Sequence, residues 1–102
     1  MANVDNWFEL EDSDKLQDQA KAFVAITVES YLNGIYDCPD EYEAATVEEW
    51  KGYVWNTILI DQAYNGGGEY KHLYFYGKDN MMKLVDTYLA NYKDVKPYVL
   101  TH

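Results

Sequence analysis

The sequence predicts a mainly α-helical, single acidic domain spanning residues 1–102, with about three helices and a candidate short two-stranded β element that would make it α+β. Apolar residues recur at three- and four-residue steps through three stretches, the period of amphipathic helices. One short aromatic segment, Glu69 to Gly77, instead alternates every second residue. The length of 102 residues, at 48% hydrophobic content, suits one core and is too apolar for a disordered acidic chain.

The first helix is expected over Ser13 to Asn33, with Leu16, Ala20, Phe23, Val24, Thr27, Val28, Tyr31 and Leu32 on its buried stripe. Glu11, Asp14, Asp18 and Glu29 cluster away from that stripe. Gly34 is the natural stop. An earlier start, capped by Asn3 or Asp5, would extend the apolar face through Trp7 and Leu10. "YDCPDEYEAA", Tyr36 to Ala45, has Pro39 and acids without a period, and is expected to be a loop.

Thr46 and Glu49 have the spacing of a capping box for a second helix from Val47 to about Tyr64. Val47, Trp50, Val54 and Ile58 mark its buried stripe, widened by Tyr53, Trp55 and Leu59. Asn65 to Gly68 end it. The alternation of Tyr70, His72, Tyr74 and Tyr76 with Lys71, Leu73 and Phe75 favours a strand, with Lys96 to Thr101 as candidate partner. Between them Asp79 is the expected cap of a third helix carrying Met81 or Met82, Leu84, Val85, Tyr88, Leu89 and Tyr92.

Catalytic and cofactor signatures are weak throughout. The P-loop pattern fails around Gly77 and Lys78, because His72 stands where a glycine is needed and Asp79 where a hydroxyl is needed. Asp61, Asn65 and Gly66 imitate the start of a calcium loop, yet His72 occupies the position of the bidentate glutamate. Cys38 and His72 form no recognisable nucleophile–base signature, and among 18 carboxylates no catalytic pair stands out. The expectation is a non-enzymatic protein with no cofactor and no metal.

Cys38 is the only cysteine, which excludes an intramolecular disulfide and points to a reducing cytoplasm. The first ten residues lack a basic region followed by an apolar one, and apolar runs such as Phe23 to Ile26 are far too short to span a bilayer.

The net charge of −10 is distributed unevenly. Residues 1–50 hold 13 acids and two lysines, a net of −11, whereas residues 51–102 hold five acids and six lysines, a net of +1. There is no arginine. Such a field disfavours direct contact with nucleic acid or a membrane and favours a basic protein partner. Six acids between Asp5 and Asp18 would cover roughly 20 Å of helix, or about 3.3 Å per charge, near the ~3.4 Å of one DNA strand.

In composition the chain resembles the small acidic proteins by which phages and mobile elements block host defence nucleases, some of them by mimicking DNA. The resemblance is one of type and implies no site residues. The resulting expectation is an inhibitor of a basic, nucleic-acid-handling protein. Its contact residues would be Glu9, Glu11, Asp12, Asp14 and Asp18, a second cluster of Asp40, Glu41, Glu43, Glu48 and Glu49, and the apolar anchors Trp7, Phe8 and Tyr42. The alternative comes from the aromatic content of 17%, more than one small core can hide: an assembly subunit forming a homodimer or larger homo-oligomer through aromatic surfaces.

Overall fold

A computed structural model describes Val4, residues 6–37 and residues 47–91, with the backbone alone for residues 32–37 and Val47. The described residues form a 3-10 helix, Trp7–Asp12, followed by α1 (Leu16–Asp37), α2 (Val47–Asn65), α3 (Lys71–Tyr76) and α4 (Lys78–Asn91), and contain no strand.

The chain opens with a three-residue rhythm. Val4, Trp7 and Leu10 recur at three-residue steps leading into and through a 3-10 helix, where i and i+3 share a face. The N–H groups of Trp7, Glu9 and Ser13 donate to the carbonyls of Val4, Asn6 and Leu10 at 3.2, 3.0 and 3.1 Å. Val4 and Trp7 are buried and Leu10 half-buried, so Phe8, Glu9, Glu11 and Asp12 face outward.

Ser13 turns extended and separates this helix from α1. Its hydroxyl donates to the Asp18 carboxylate at 2.9 Å and its Oγ accepts the Lys15 N–H at 3.2 Å. Gln19 Nε2 donates to the Ser13 carbonyl. Ser13 therefore organises the approach to the helix, and the first helical residue is Leu16 rather than Ser13.

α1 is the central helix, packed by the 3-10 helix, α2, α3 and α4. That position explains why Ala22, Phe23, Val24 and Ala25 are buried in succession, a wider face than the predicted stripe. Ala20, Thr27 and Val28 are also buried, whereas Leu16 at the end of the stripe is exposed. Contrary to expectation, Gly34 does not end α1, which continues to Asp37. A glycine inside a helix costs only about 1 kcal/mol, which tertiary packing readily outweighs.

On α2 the predicted stripe positions Trp50, Val54 and Ile58 are completely buried, with Trp55 and Tyr53 packed at the edges and Leu59 exposed; the side chain of Val47 lies outside the described residues. The stripe ends on a polar residue, Asp61, only 4% exposed. Gly66 and Gly67, at φ 62° and 77°, then turn the chain in the left-handed region that L side chains avoid.

The expected strand over 70–76 is corrected: Lys71–Tyr76 is a helix. Tyr70, Leu73 and Tyr76 fall three apart, and all three contact the core while Lys71, His72, Tyr74 and Phe75 point away. An isolated strand needs a partner, whereas the residues leading into this helix, Glu69 and Tyr70, are anchored through their N–H groups to Asp61. Gly77, at φ 105°, closes α3, and Asn80 Nδ2 donates to the Tyr76 carbonyl at 2.7 Å. α4 begins at Lys78, so Asp79 lies in its first turn, where a carboxylate suits the helix dipole, rather than at the cap. Met81, Leu84, Val85, Tyr88 and Leu89 are buried as predicted.

Cys38, Pro39, the Thr46 cap, Tyr92 and the partner strand Lys96 to Thr101 lie outside the described residues. No described helix is long and apolar enough to cross a membrane.

Candidate functional site

The outward face of the 3-10 helix and the bend after it form an acidic edge. Glu9, Glu11, Asp12 and Asp14 are all exposed, and among the described residues none of them is in an ion pair. Phe8, also exposed, stands among them. The 3-10 geometry brings Glu9 and Asp12 onto one side and Phe8 and Glu11 onto another, because residues three apart eclipse. With about 2.0 Å of rise per residue, Glu9, Glu11 and Asp12 lie within roughly 6 Å of axis. The run is interrupted at Ser13, so the continuous 20 Å line of charge expected from Asp5 to Asp18 does not form.

Two predicted contact residues are withdrawn from this edge by the fold. Trp7 is 3% exposed, so it is a core residue and not a surface anchor. Its ring lies 5.6 Å from that of Tyr88, and Lys21 Nζ sits over it at 5.7 Å from the centroid. The three-residue repeat with Val4 and Leu10 is the signal that places Trp7 inside. Asp18 is half-buried and holds the Ser13 hydroxyl, so it belongs to the structure of the bend.

Of the second cluster, Glu48 and Glu49 are exposed in the first turn of α2. Glu48 is 3.5 Å from Lys51, whose ammonium also meets Asp86 of α4 at 2.9 Å. Those contacts, the hydrogen bond from Lys51 to Asp86 foremost, hold the lysine above its ordinary pKa. Asp40, Glu41, Tyr42 and Glu43 lie outside the described residues.

A separate surface is aromatic. Trp55 of α2 stacks on Tyr74 of α3 at 6.0 Å, and Tyr74 meets Phe75 edge-on at 5.7 Å. Phe75 is 72% exposed and Tyr64 82%, an unusual amount of ring to leave in water. The aromatic excess legible in the sequence is therefore at least partly on the surface.

Asp61 was visible to sequence reasoning only as a false calcium-loop start, yet it is the most constrained carboxylate described. It accepts hydrogen bonds from the Tyr70 N–H at 2.9 Å and from the Glu69 N–H and Asn65 Nδ2 at 3.4 Å each. Its role is to join the glycine turn to α3. No group of three or more potential metal ligands is assembled among the described residues.

No protein-family model, curated protein or solved structure matches this chain.

Proposed function

We propose that this is a non-enzymatic acidic protein that binds and inhibits a basic protein, one that handles nucleic acid, in the manner of phage or mobile-element anti-defence proteins. The observation that supports this reading is the acidic edge: four exposed carboxylates, Glu9, Glu11, Asp12 and Asp14, without an ionic partner among the described residues and with Phe8 exposed beside them. Charges left unpaired inside a protein's own structure remain available to a partner. Complementary charge accelerates encounter, and burial of Phe8 slows dissociation. Competition with DNA for a basic cleft follows if the carboxylates occupy phosphate positions.

The test is affinity capture from a bacterial lysate at low and high salt, with duplex DNA as competitor, comparing the native chain with the Glu9→Gln/Asp12→Asn/Asp14→Asn variant. Recovery of a nucleic-acid enzyme that DNA displaces and that the variant loses supports the proposal. Undiminished capture by the variant sinks the assignment of the edge.

A second reading is supported by the exposed Tyr64, Tyr74 and Phe75: an assembly subunit that buries these rings against further copies of itself. Sedimentation at low and high salt separates the two. A salt-insensitive oligomer that Phe75→Ser dissociates favours assembly, whereas a monomer leaves the acidic edge as the working surface.

A further inference from the structure

A cleft of about 440 Å³ opens between α1 and the start of α3, beside the end of the 3-10 helix. Its size falls within the ~300–1,000 Å³ of ligand pockets, and its two zones differ in chemistry. Ala22, Phe23 and Leu73 are buried in its apolar wall, and Ile26 extends that wall to the surface. Glu11 and Glu69, both exposed, bring two carboxylates to the same cleft, and no lysine lines it. The Tyr70 ring joins the zones, lying 4.8 Å from the Phe23 ring. Its hydroxyl is held above its ordinary pKa by burial first, then by Glu69, with Asp61 and Glu11 adding to the effect. Both mouth carboxylates line the same cleft as the phenol.

We infer that this cleft receives one extended basic side chain, a lysine or arginine, of the protein partner. The inference rests on the proposed function, since it names what part of a basic partner the acidic surface takes in. The alkyl stem of such a side chain covers Phe23, Ile26 and Leu73, and its cationic head lies beside Glu11, Glu69 and the Tyr70 ring. Long basic side chains are built for that division, an apolar stem and a charged tip. A cation over an aromatic face gains further attraction. A small inorganic cation has no use for the apolar wall, a neutral apolar guest has none for the carboxylates, and an anion is repelled by them. Glu11 belongs to both the acidic edge and the cleft, so long-range attraction by the edge leads directly into it.

The probe is acetyl-glycyl-arginyl-glycinamide, titrated at low salt into the ¹⁵N-labelled full chain, with amide shifts followed by NMR. Saturable shifts are expected at Phe23, Ile26, Tyr70 and Leu73, with a Kd on the order of millimolar. Replacing arginine by norleucine, or using Glu11→Gln/Glu69→Gln, whose substitutions are at exposed positions, should weaken binding at least about tenfold. Equal binding of the norleucine peptide, unchanged binding by the double variant, or shifts confined to Glu9, Asp12 and Asp14 overturns the inference. So does binding of free guanidinium as tightly as the peptide, which marks a small-cation site instead. If Glu11→Gln/Glu69→Gln captures the partner undiminished while Glu9→Gln/Asp12→Asn/Asp14→Asn does not, the cleft inference fails and the edge assignment stands. The opposite pattern overturns the edge and supports the cleft.

Discussion

Replacing Asp61 by alanine should unfasten α3 from the end of α2. The carboxylate is 4% exposed and accepts the Tyr70 N–H at 2.9 Å, a well-formed charge-assisted bond, whereas its two contacts at 3.4 Å are weaker. Losing an ionised acceptor that holds a part-buried N–H costs about 1–3 kcal/mol, and because Asp61 also receives the Glu69 N–H and Asn65 Nδ2, the upper part of that range, about 2–3 kcal/mol, is expected. For a domain of this size that is a fall in Tm of roughly 10–20 °C. Urea unfolding at neutral pH, followed by far-UV circular dichroism, measures the loss, and a midpoint shift at constant slope identifies it as stability. Amide exchange over Tyr70 to Gly77 should quicken beyond the global change, because the anchor acts locally. Asp61→Asn keeps one acceptor oxygen and should cost about half as much. An alanine variant within ~0.5 kcal/mol of the native chain would refute the anchoring role.

Four other perturbations probe different levels of the fold. Gly52→Ala should stabilise by about 0.5–1 kcal/mol, because the glycine is inside α2 with open space where the methyl would go. Gly67→Ala should destabilise by at least about 1 kcal/mol in the same denaturation assay, since φ is +77° and the new Cβ would lie 2.6 Å from Gln62 Nε2. Trp7→Ala should cost about 3–5 kcal/mol by removing a buried ring against Tyr88; a loss below 1 kcal/mol would restore Trp7 to the surface. Tyr70 binds its proton more tightly in the folded chain than at its ordinary value of 10.0, so its contribution is fully present below that pH and lost as pH rises through the folded value. Between about pH 9 and 11 the native chain should therefore lose more stability than Tyr70→Phe, and parallel losses would remove Tyr70 from the pH response.

The long helices were legible because their buried positions repeat clearly: Trp50, Val54 and Ile58 on α2, and Met81, Leu84, Val85 and Tyr88 on α4. Short elements were not, since six residues supply too few turns to separate competing periods. In 70–76 the two-residue alternation of aromatics masked the three-residue spacing of Tyr70, Leu73 and Tyr76, and the anchor that fixes the entry to the helix comes from Asp61, nine residues before Tyr70. Around Trp7 the repeat with Val4 and Leu10 was present but follows the 3-10 period rather than that of an α-helix. The exposed acids of the edge were legible from composition alone. The cleft was not, because Glu11 and Glu69 are 58 positions apart and meet only after α3 folds back on α1.

Fold and charge separate in this molecule, and that separation makes the functional tests clean. Among the carboxylates that shape the described structure are Asp61 at the entry to α3, Asp18 at the Ser13 bend, and Asp86 and Glu48 beside Lys51. Glu9, Glu11, Asp12 and Asp14 make no ion pair among the described residues and are all exposed, so their neutralisation removes mutual repulsion without opening a cavity or orphaning a buried donor. A variant lacking those charges should be at least as stable as the native chain, and any binding it loses reflects the surface rather than the fold. A clear destabilisation on neutralising Glu9, Asp12 and Asp14 would mean instead that these acids serve the structure, which would remove the basis for reading them as a partner surface.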